Sequence, residues 1–325
     1  MKKYLIFIFS YLCFMASASA QDCSKALLRQ KPGTWKAGLK GSITNVNVTD
    51  LAKEKEVLAS IHNMVNNHYT PKGCQVLYST TFGKSLATNQ TWIADPYYYT
   101  MYILRYLCDQ QSTDKTKYYV DYATPTTVNI TANAAYWMSA LYAADMGDDF
   151  RGYLKLLKRP EKKDGFYFMG EEKDYNEPLY EYRWLITYND TLPFSYLTRK
   201  EYLLIQKKRL EKSIKESPGS EKYTQKYVDR INEFLSRSPD ELNKPAICMW
   251  NDEERFEKFV DEGTKGSFIA IKPNLDYYHK KLPKSSPQFF SVVYKISKDG
   301  AVFDDNMDAI IKAVDFTVLK NRLGK

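Results

Sequence analysis

The chain has 325 residues, with 47 Lys and Arg against 39 Asp and Glu, and a formal net charge of +8. This charge is modest for the length, and Lys alternates with Glu throughout, which argues against a dedicated nucleic-acid-binding domain. Beyond the N-terminus no stretch approaches the roughly eighteen uninterrupted apolar residues that span a bilayer, so we expect no transmembrane segment in the mature chain.

The N-terminus has the pattern of a secretory signal peptide. The stretch MKKYLIFIFSYLCFMASASAQ begins with two lysines, continues with an apolar run over 4–15 and ends in small residues at 18–20. This order of charged, apolar and small residues is typical of an export signal. We therefore assign residues 1–20 to a signal peptide cleaved near Ala20 and expect a secreted or periplasmic protein.

Four cysteines remain after this cleavage: Cys23, Cys74, Cys108 and Cys248. An even number in an oxidising compartment predicts two disulfides, although the sequence does not choose among the three pairings. We favour Cys74 with Cys108, because each lies in a strand-like run of one sheet, and Cys23 with Cys248. No CxxC pair occurs, so a zinc or redox site is not expected.

The first predicted domain, residues 21–160, consists of a helix followed by strands. Asp50 is the predicted cap of a helix over 50–68 whose apolar residues share one face. The runs that predict strands are CQVLYSTTF at 74–82, YYYTMYILRYLC at 97–108, KYYVDYA at 117–123 and TTVNITANAAYW at 126–137. This order predicts an antiparallel sheet packed on the helix.

The second predicted domain, residues 161–325, combines strands with a helical hairpin over 199–237. The runs that predict strands are GFYFMG, YEYRWLITY, KPAICMW, GSFIAIKP and QFFSVVYKI. We predict helical structure at Asp252–Val260 and a short helix around Phe316–Leu323. The predicted fold class is therefore α+β, with a helix on an antiparallel sheet in the N-terminal half and a helical hairpin plus strands in the C-terminal half.

The first helix of the hairpin has a clear start and end. Thr198 and Glu201 have the spacing of a capping box, and Ser217-Pro218-Gly219 ends the helix. A second apolar run follows with Tyr223, Tyr227, Ile231 and Leu235 spaced by four, which predicts two antiparallel helices with their apolar stripes inward.

The polar side of the first hairpin helix is dense in lysine, notably Lys207, Lys208, Lys212 and Lys215. Such a face is either an anion-binding surface or a hydrated helix surface. Because glutamates interrupt the positive charge, we interpret it as scaffold.

The common catalytic and metal-binding patterns are missing from the sequence. No GxSxG serine elbow occurs. His62 and His68 are six residues apart and diverge on a helix, and His279 has no patterned partner, so neither a metal nor a cofactor is expected. The acids at 304, 305 and 308 lack the glycine and distal glutamate of an EF-hand and are interpreted as acids at a helix N-terminus.

Carboxylates concentrate between residues 171 and 181. A glycosidase needs two such groups facing a cleft, one with a raised pKa. On this basis Glu177 and Glu181 are candidate catalytic residues for a hydrolase of glycan or peptide. Trp184, on the run that follows, is a candidate binding residue because aromatic rings beside acids suit sugars. The alternative is a charged loop before a half-buried strand.

Tyrosines dominate the run over 97–108. Strand alternation places Tyr98, Tyr102 and Tyr106 on one sheet face. Such a face can bind peptide or glycan, because tyrosine offers contact area at low entropic cost and a hydrogen-bonding tip. It can equally pack beneath a helix.

Two segments, LPFSYLTRKEYL at 192–203 and LPKSSPQFFSVVYK at 282–295, resemble segments of uncharacterised secreted or envelope proteins of Bacteroidota. The resemblance covers mainly the second half and implies an exported envelope protein, without catalytic residues to transfer. The sequence therefore favours a non-enzymatic envelope protein that binds a glycan or protein partner, with the hydrolase as the alternative.

Overall fold

The structure is a computed structural model that describes residues 22–38, 41–84, 91–123, 126–138, 141–144, 152–173, 178–252 and 255–325. The predicted signal peptide lies outside this part of the chain. Within it the α-helices are α1 (Lys25–Gln30), α2 (Val48–His68), α3 (Arg199–Glu216), α4 (Glu221–Leu235), α5 (Pro239–Leu242), α6 (Ala301–Ala313) and α7 (Phe316–Lys320).

The strands up to the middle of the chain are β1 (Thr34–Ala37), β2 (Ile43–Thr44), β3 (Cys74–Gly83), β4 (Tyr97–Cys108), β5 (Tyr118–Val120), β6 (Thr127–Ala132), β7 (Ala134–Ala135), β8 (Leu141–Tyr142) and β9 (Leu154–Leu156). The later strands are β10 (Glu161–Lys163), β11 (Phe166–Lys173), β12 (Leu179–Ile186), β13 (Phe194–Tyr196), β14 (Ile247–Met249), β15 (Ser267–Pro273) and β16 (Phe290–Ser297).

One ten-stranded sheet forms the centre of the molecule. Its order is β1-β3-β4-β6-β16-β12-β11-β10, with β2 added to β3 and β5 added to β4. β1 and β2 pair with β3 in parallel, and the remaining pairs are antiparallel. The predicted fold class was wrong on this point. The fold is largely β, and a mixed sheet draws strands from both halves of the chain, because β16 inserts between β6 and β12.

The two faces of the ten-stranded sheet have different neighbours. The inner face packs against α2, α6 and α7 in a core that includes Leu58, Ile61 and Met307. α2 begins at Val48 and is capped by Asn47, whose side-chain oxygen accepts from the Asp50 N–H at 2.8 Å. Burial of these apolar residues is the main force that holds the helices on the sheet.

Two further layers, a second sheet and the helical hairpin, lie on the side of the outer face. A four-stranded sheet, β13-β15-β14 with β9 added to β15, packs there in a core that includes Leu185 and Ile269. The hairpin α3–α4 packs on the far side of β15, where Phe268 joins Leu203 and Ile231. Strand alternation along β15 separates these two cores.

The hairpin has the predicted boundaries. The Glu201 N–H donates to Thr198 Oγ1, and the Thr198 N–H donates to Glu201 Oε2 at 2.8 Å, which completes the capping box. The helical prediction for Asp252–Val260 was wrong, since residues 255–260 adopt no helix. The acids at 304, 305 and 308 lie within α6, as expected for helix residues.

The disulfide joins Cys23 to Cys108, and the side chains of Cys74 and Cys248 are buried. Both predicted pairings were therefore wrong. Cys74 pairs in register with Arg105 on β4, so its side chain lies on the inner face, whereas Cys108, three residues further along, points to the outer face. Two cysteines on opposite faces of one sheet cannot form a bond without backbone movement. The structure instead has a crosslink from the N-terminal segment to the end of β4.

Candidate binding site

Strand β4 divides its tyrosines between the two faces of the sheet. Tyr97 and Tyr99 are fully buried in the inner core beneath α2. Tyr98 is half-buried and Tyr102 is 37% exposed, both on the outer face. The outer face of β4 is therefore the side on which tyrosine rings reach solvent.

Four aromatic side chains form a continuous series of ring contacts on this outer side. Tyr98 contacts Tyr136 with centroids 5.9 Å apart, Tyr136 contacts Tyr142 at 5.7 Å, and Tyr142 contacts Trp92 at 5.4 Å. All three contacts are edge-to-face, the arrangement that aromatic quadrupoles favour. We call Trp92, Tyr98, Tyr136 and Tyr142 the aromatic strip.

The strip is partly open to solvent. Tyr136 is 45% exposed, and the other three rings are half-buried. Burial raises the pKa of Tyr136, with the neighbouring Tyr142 and Tyr98 adding to the effect. Burial likewise raises the pKa of Tyr142. Both hydroxyls therefore stay protonated and can donate hydrogen bonds at any physiological pH.

A buried asparagine positions the short strand β7, which leads directly into Tyr136. Asn133 adopts a positive φ of 60°, a conformation that asparagine tolerates better than most residues, and it turns the chain from β6 into β7. Its Nδ2 donates to the carbonyls of Asp95 and Ser286, and its Oδ1 accepts from the Gln288 N–H at 2.6 Å. β7 then pairs with β8, which carries Tyr142.

Polar side chains lie beside the strip on the neighbouring strands. Thr81 of β3 and Thr131 of β6 pair directly with Tyr98, so their side chains share its face. Two residues further along on the same face, Thr100 Oγ1 donates to Asn129 Oδ1 at 2.7 Å. Thr100 and Thr131 are buried, so the polar side chains that reach the surface beside Tyr98 are the half-buried Thr81 and Asn129.

The other predicted binding residues lie in different surroundings. Tyr106 is buried, with its ring 5.2 Å from that of Tyr118. Trp184 lies on the inner face, where its ring contacts Phe168 at 4.9 Å and Phe316 at 5.4 Å. Of the four predicted residues, only Tyr98 belongs to the strip, and Tyr102 is exposed on the same face.

Sequence reasoning missed Trp92, Tyr136 and Tyr142. A usable signal was present in AAYWMSALYAA over 134–144, where small residues surround two tyrosines six apart. Small neighbours leave aromatic rings uncovered, which favours a surface role over a core role.

Of the two predicted catalytic carboxylates, Glu181 belongs to an ion-pair network with Arg183 and Glu172. Glu177 lies outside the described residues. Glu181 Oε1 accepts from Arg183 Nε at 2.9 Å, and Glu172 accepts from Arg183 Nη2. Glu172 and Glu181 also stand directly opposite each other on β11 and β12. Arg183 therefore neutralises two like charges that would otherwise repel.

A second group of carboxylates lies buried between α2 and the ends of β3 and β4. Glu54 is fully buried; its Oε2 accepts from the Gly83 N–H at 3.1 Å, and its Oε1 has no hydrogen-bond partner among the residues that the structure describes. Burial, reinforced by the nearby Asp95, raises the pKa of Glu54 to about 8. Asp95 is itself buried and binds Lys84 Nζ at 2.9 Å. Glu54 is thus held as a neutral acid.

The three histidines lie apart from both carboxylate groups. His62 Nδ1 hydrogen-bonds to the Tyr99 hydroxyl at 2.8 Å, and its ring stacks on Tyr78 at 4.2 Å. His279 packs edge-on against Tyr188. In the part of the chain that the structure describes, no group of three His, Cys, Asp or Glu side chains is placed to hold a metal ion.

Comparisons of the chain with protein-family models, with curated proteins and with solved structures find no match. None of the helices in the described ranges is both long and apolar enough to cross a membrane.

Proposed function

We propose that this chain is an exported, non-enzymatic binding protein of the cell envelope, and that it binds a glycan on the aromatic strip. The observation that carries the proposal is the unbroken series of ring contacts from Tyr98 to Trp92 on a solvent-facing sheet surface. Exposed aromatic groups on a folded surface mark interaction sites more often than isolated apolar residues do.

The chemistry of the strip favours a glycan over a peptide. A sugar ring presents C–H groups on its faces and hydroxyls at its rim. The strip offers aromatic rings for the former, and its tyrosine hydroxyls, with the half-buried Thr81 and Asn129 beside Tyr98, offer hydrogen bonds for the latter. Export is supported by the N-terminal sequence pattern and by the Cys23–Cys108 disulfide, which is typical of an oxidising compartment.

The hydrolase alternative has weaker support. Glu172 and Glu181 both bind Arg183, and these ion pairs account for the two carboxylates without a catalytic role. The neutral acid in the described structure is Glu54, which is fully buried and has no access to a polymer.

The proposal is tested by a glycan array probed with the wild-type protein, with Tyr136→Ala and with Tyr119→Ala. Tyr119 is 50% exposed on β5 and has no ring contact with the strip, so it is a matched control. We expect wild type and Tyr119→Ala to retain the same glycans and Tyr136→Ala to lose them. Binding to a peptide array without binding to the glycan array would show that the ligand is a protein. No binding to either array would refute the proposed function.

A further inference from the structure

The helical hairpin carries most of the net charge of the chain. Residues 199–237 contain eleven Lys and Arg against six Asp and Glu, a balance of +5, whereas the complete chain has +8. The charge is therefore concentrated on the hairpin, whose apolar side packs on the second sheet.

The outward side of α3 has a mixed basic and apolar character. Lys200, Lys208 and Lys215 are exposed, and within the described residues none of the three forms an ion pair. Leu204 lies between them and is 47% exposed. Their spacing places the four side chains within about 80° around the helix axis, an arc that also holds the exposed Glu211, whose charge is paired with Lys207 at 3.7 Å. By contrast, Lys207 binds Asn232 of α4, and Lys212 pairs with Glu216.

The start of α4 adds an exposed aromatic ring. Tyr223 is 69% exposed, more than any other aromatic side chain in the described ranges, and it stands beside Lys222. The spacing of four had predicted Tyr223 in the inward stripe together with Tyr227 and Ile231. The structure buries those two residues but leaves Tyr223 outside. Its exposure is therefore not explained by packing within the hairpin.

We propose that the α3–α4 hairpin docks on an anionic lipid surface. Lysine ammonium groups act as compact point charges toward headgroup phosphates, each contributing when it lies within a Debye length of the surface. Leu204 and Tyr223 enter the interfacial layer, where an apolar body with a polar tip is favoured. A soluble polyanion satisfies the lysines but offers no apolar layer to Leu204, which is why a lipid surface fits better.

This surface is separate from the aromatic strip. The strip lies on β4 and the β7–β8 hairpin, whereas α3 and α4 lie beyond the second sheet. The inference does not depend on the proposed glycan binding. A protein attached to a lipid surface through the hairpin can still present the strip to a polymer.

The test is sedimentation of the protein with vesicles of pure phosphatidylcholine and with vesicles that also contain phosphatidylglycerol, at low and at high salt. We expect binding only to the anionic vesicles and its loss at high salt. The triple variant K200E/K208E/K215E should lower the partition coefficient by at least about a hundredfold, since each lysine near the surface is worth roughly a fivefold change.

The matched control is K280E/K281E/K284E, which makes the same charge change at three exposed lysines outside the hairpin. It should retain most of the vesicle binding. Leu204→Ala should lower binding several-fold without changing its salt dependence, which reports entry into the lipid layer.

Three results would overturn the inference. These are wild-type protein that stays in the supernatant with anionic vesicles, equal losses in the hairpin and control triple variants, and binding to dextran sulfate without binding to vesicles. The last result would make the hairpin a site for a soluble polyanion. Circular dichroism of each variant establishes that the exposed substitutions leave the fold intact.

Discussion

The two faces of the ten-stranded sheet use the same residue types for different purposes. On the inner face Tyr97 donates its hydroxyl to the Ser285 carbonyl at 2.8 Å and is fully buried, whereas on the outer face Tyr98 contacts Tyr136 at the surface. Residue type alone therefore does not distinguish core tyrosines from surface tyrosines, whereas their odd or even position along β4 does. The position of an aromatic residue along the strand decides whether it lies in the core or on the proposed binding surface.

The largest change in unfolding free energy, and the clearest difference between the two faces, is expected at Tyr97. Tyr97→Ala removes a fully buried ring and leaves the Ser285 carbonyl without its donor, which should cost about 4 kcal/mol of unfolding free energy. Tyr102→Ala on the outer face should cost about 1 kcal/mol or less. Urea unfolding of both variants measures the difference, and similar losses would contradict the assignment of the faces.

The second effect concerns Glu54, the buried acid on the inner side. The folded state keeps its proton up to about pH 8, whereas an ordinary glutamate in the unfolded chain loses it near pH 4.5. Since the folded state binds more protons between these values, stability falls as pH rises, by roughly 3 to 4 kcal/mol between pH 5 and pH 8.

Glu54→Gln tests this effect because an amide cannot ionise. The groups that face Glu54 are Asp50 on its own helix and Lys84, Asp95 and Tyr97 from the adjoining strand ends. The variant should lose most of the decline in unfolding free energy toward pH 8. Glu56→Gln, on the exposed side of α2, should follow the wild type. A wild-type stability that rises over this pH range would contradict the account.

The third effect concerns the disulfide at Cys108 on the outer face and the two buried cysteines. Removal of the Cys23–Cys108 bond, which closes a separation of 85 residues, should cost about 3 kcal/mol of unfolding free energy. The thiols of Cys74 and Cys248 should react with a thiol reagent only after unfolding, because both are buried. Mass spectrometry of the native labelled protein would oppose this pairing if it found label on Cys108.

The smallest effect is expected at Glu181 on the outer face. Glu181→Gln removes one of two carboxylates from Arg183 at the surface and should change the unfolding free energy by less than about 1 kcal/mol. Glycan retention should not change, because Glu181 lies outside the strip. Loss of turnover on a glycan or peptide substrate in this variant would instead restore the hydrolase alternative.

Local features of the fold were predictable from the sequence, and long-range ones were not. The capping box at Thr198 and Glu201 depends on neighbours three residues apart, so the start of α3 was found correctly. The insertion of β16 between β6 and β12 depends on contacts between distant segments, which carry no local signature. The fold class failed for this reason.

The candidate site shows the same division. Alternation along β4 indicated the face of Tyr98 and Tyr102. Tyr136 and Tyr142 come from a separate hairpin, whose position is fixed by the buried Asn133 and its bonds to Asp95, Ser286 and Gln288, and Trp92 comes from the segment before β4. No spacing rule connects these residues. The burial of Glu54 could have been predicted, because it lies among the apolar positions of α2 in the sequence.

The most direct test of the aromatic strip is a calorimetric titration of one array-selected oligosaccharide into wild type, Tyr136→Ala and Tyr119→Ala. Removal of a central exposed ring should weaken binding by about tenfold or more, while Tyr119→Ala should bind as wild type does. Equal affinities for wild type and Tyr136→Ala would show that the ligand binds elsewhere and would contradict the role assigned to the strip.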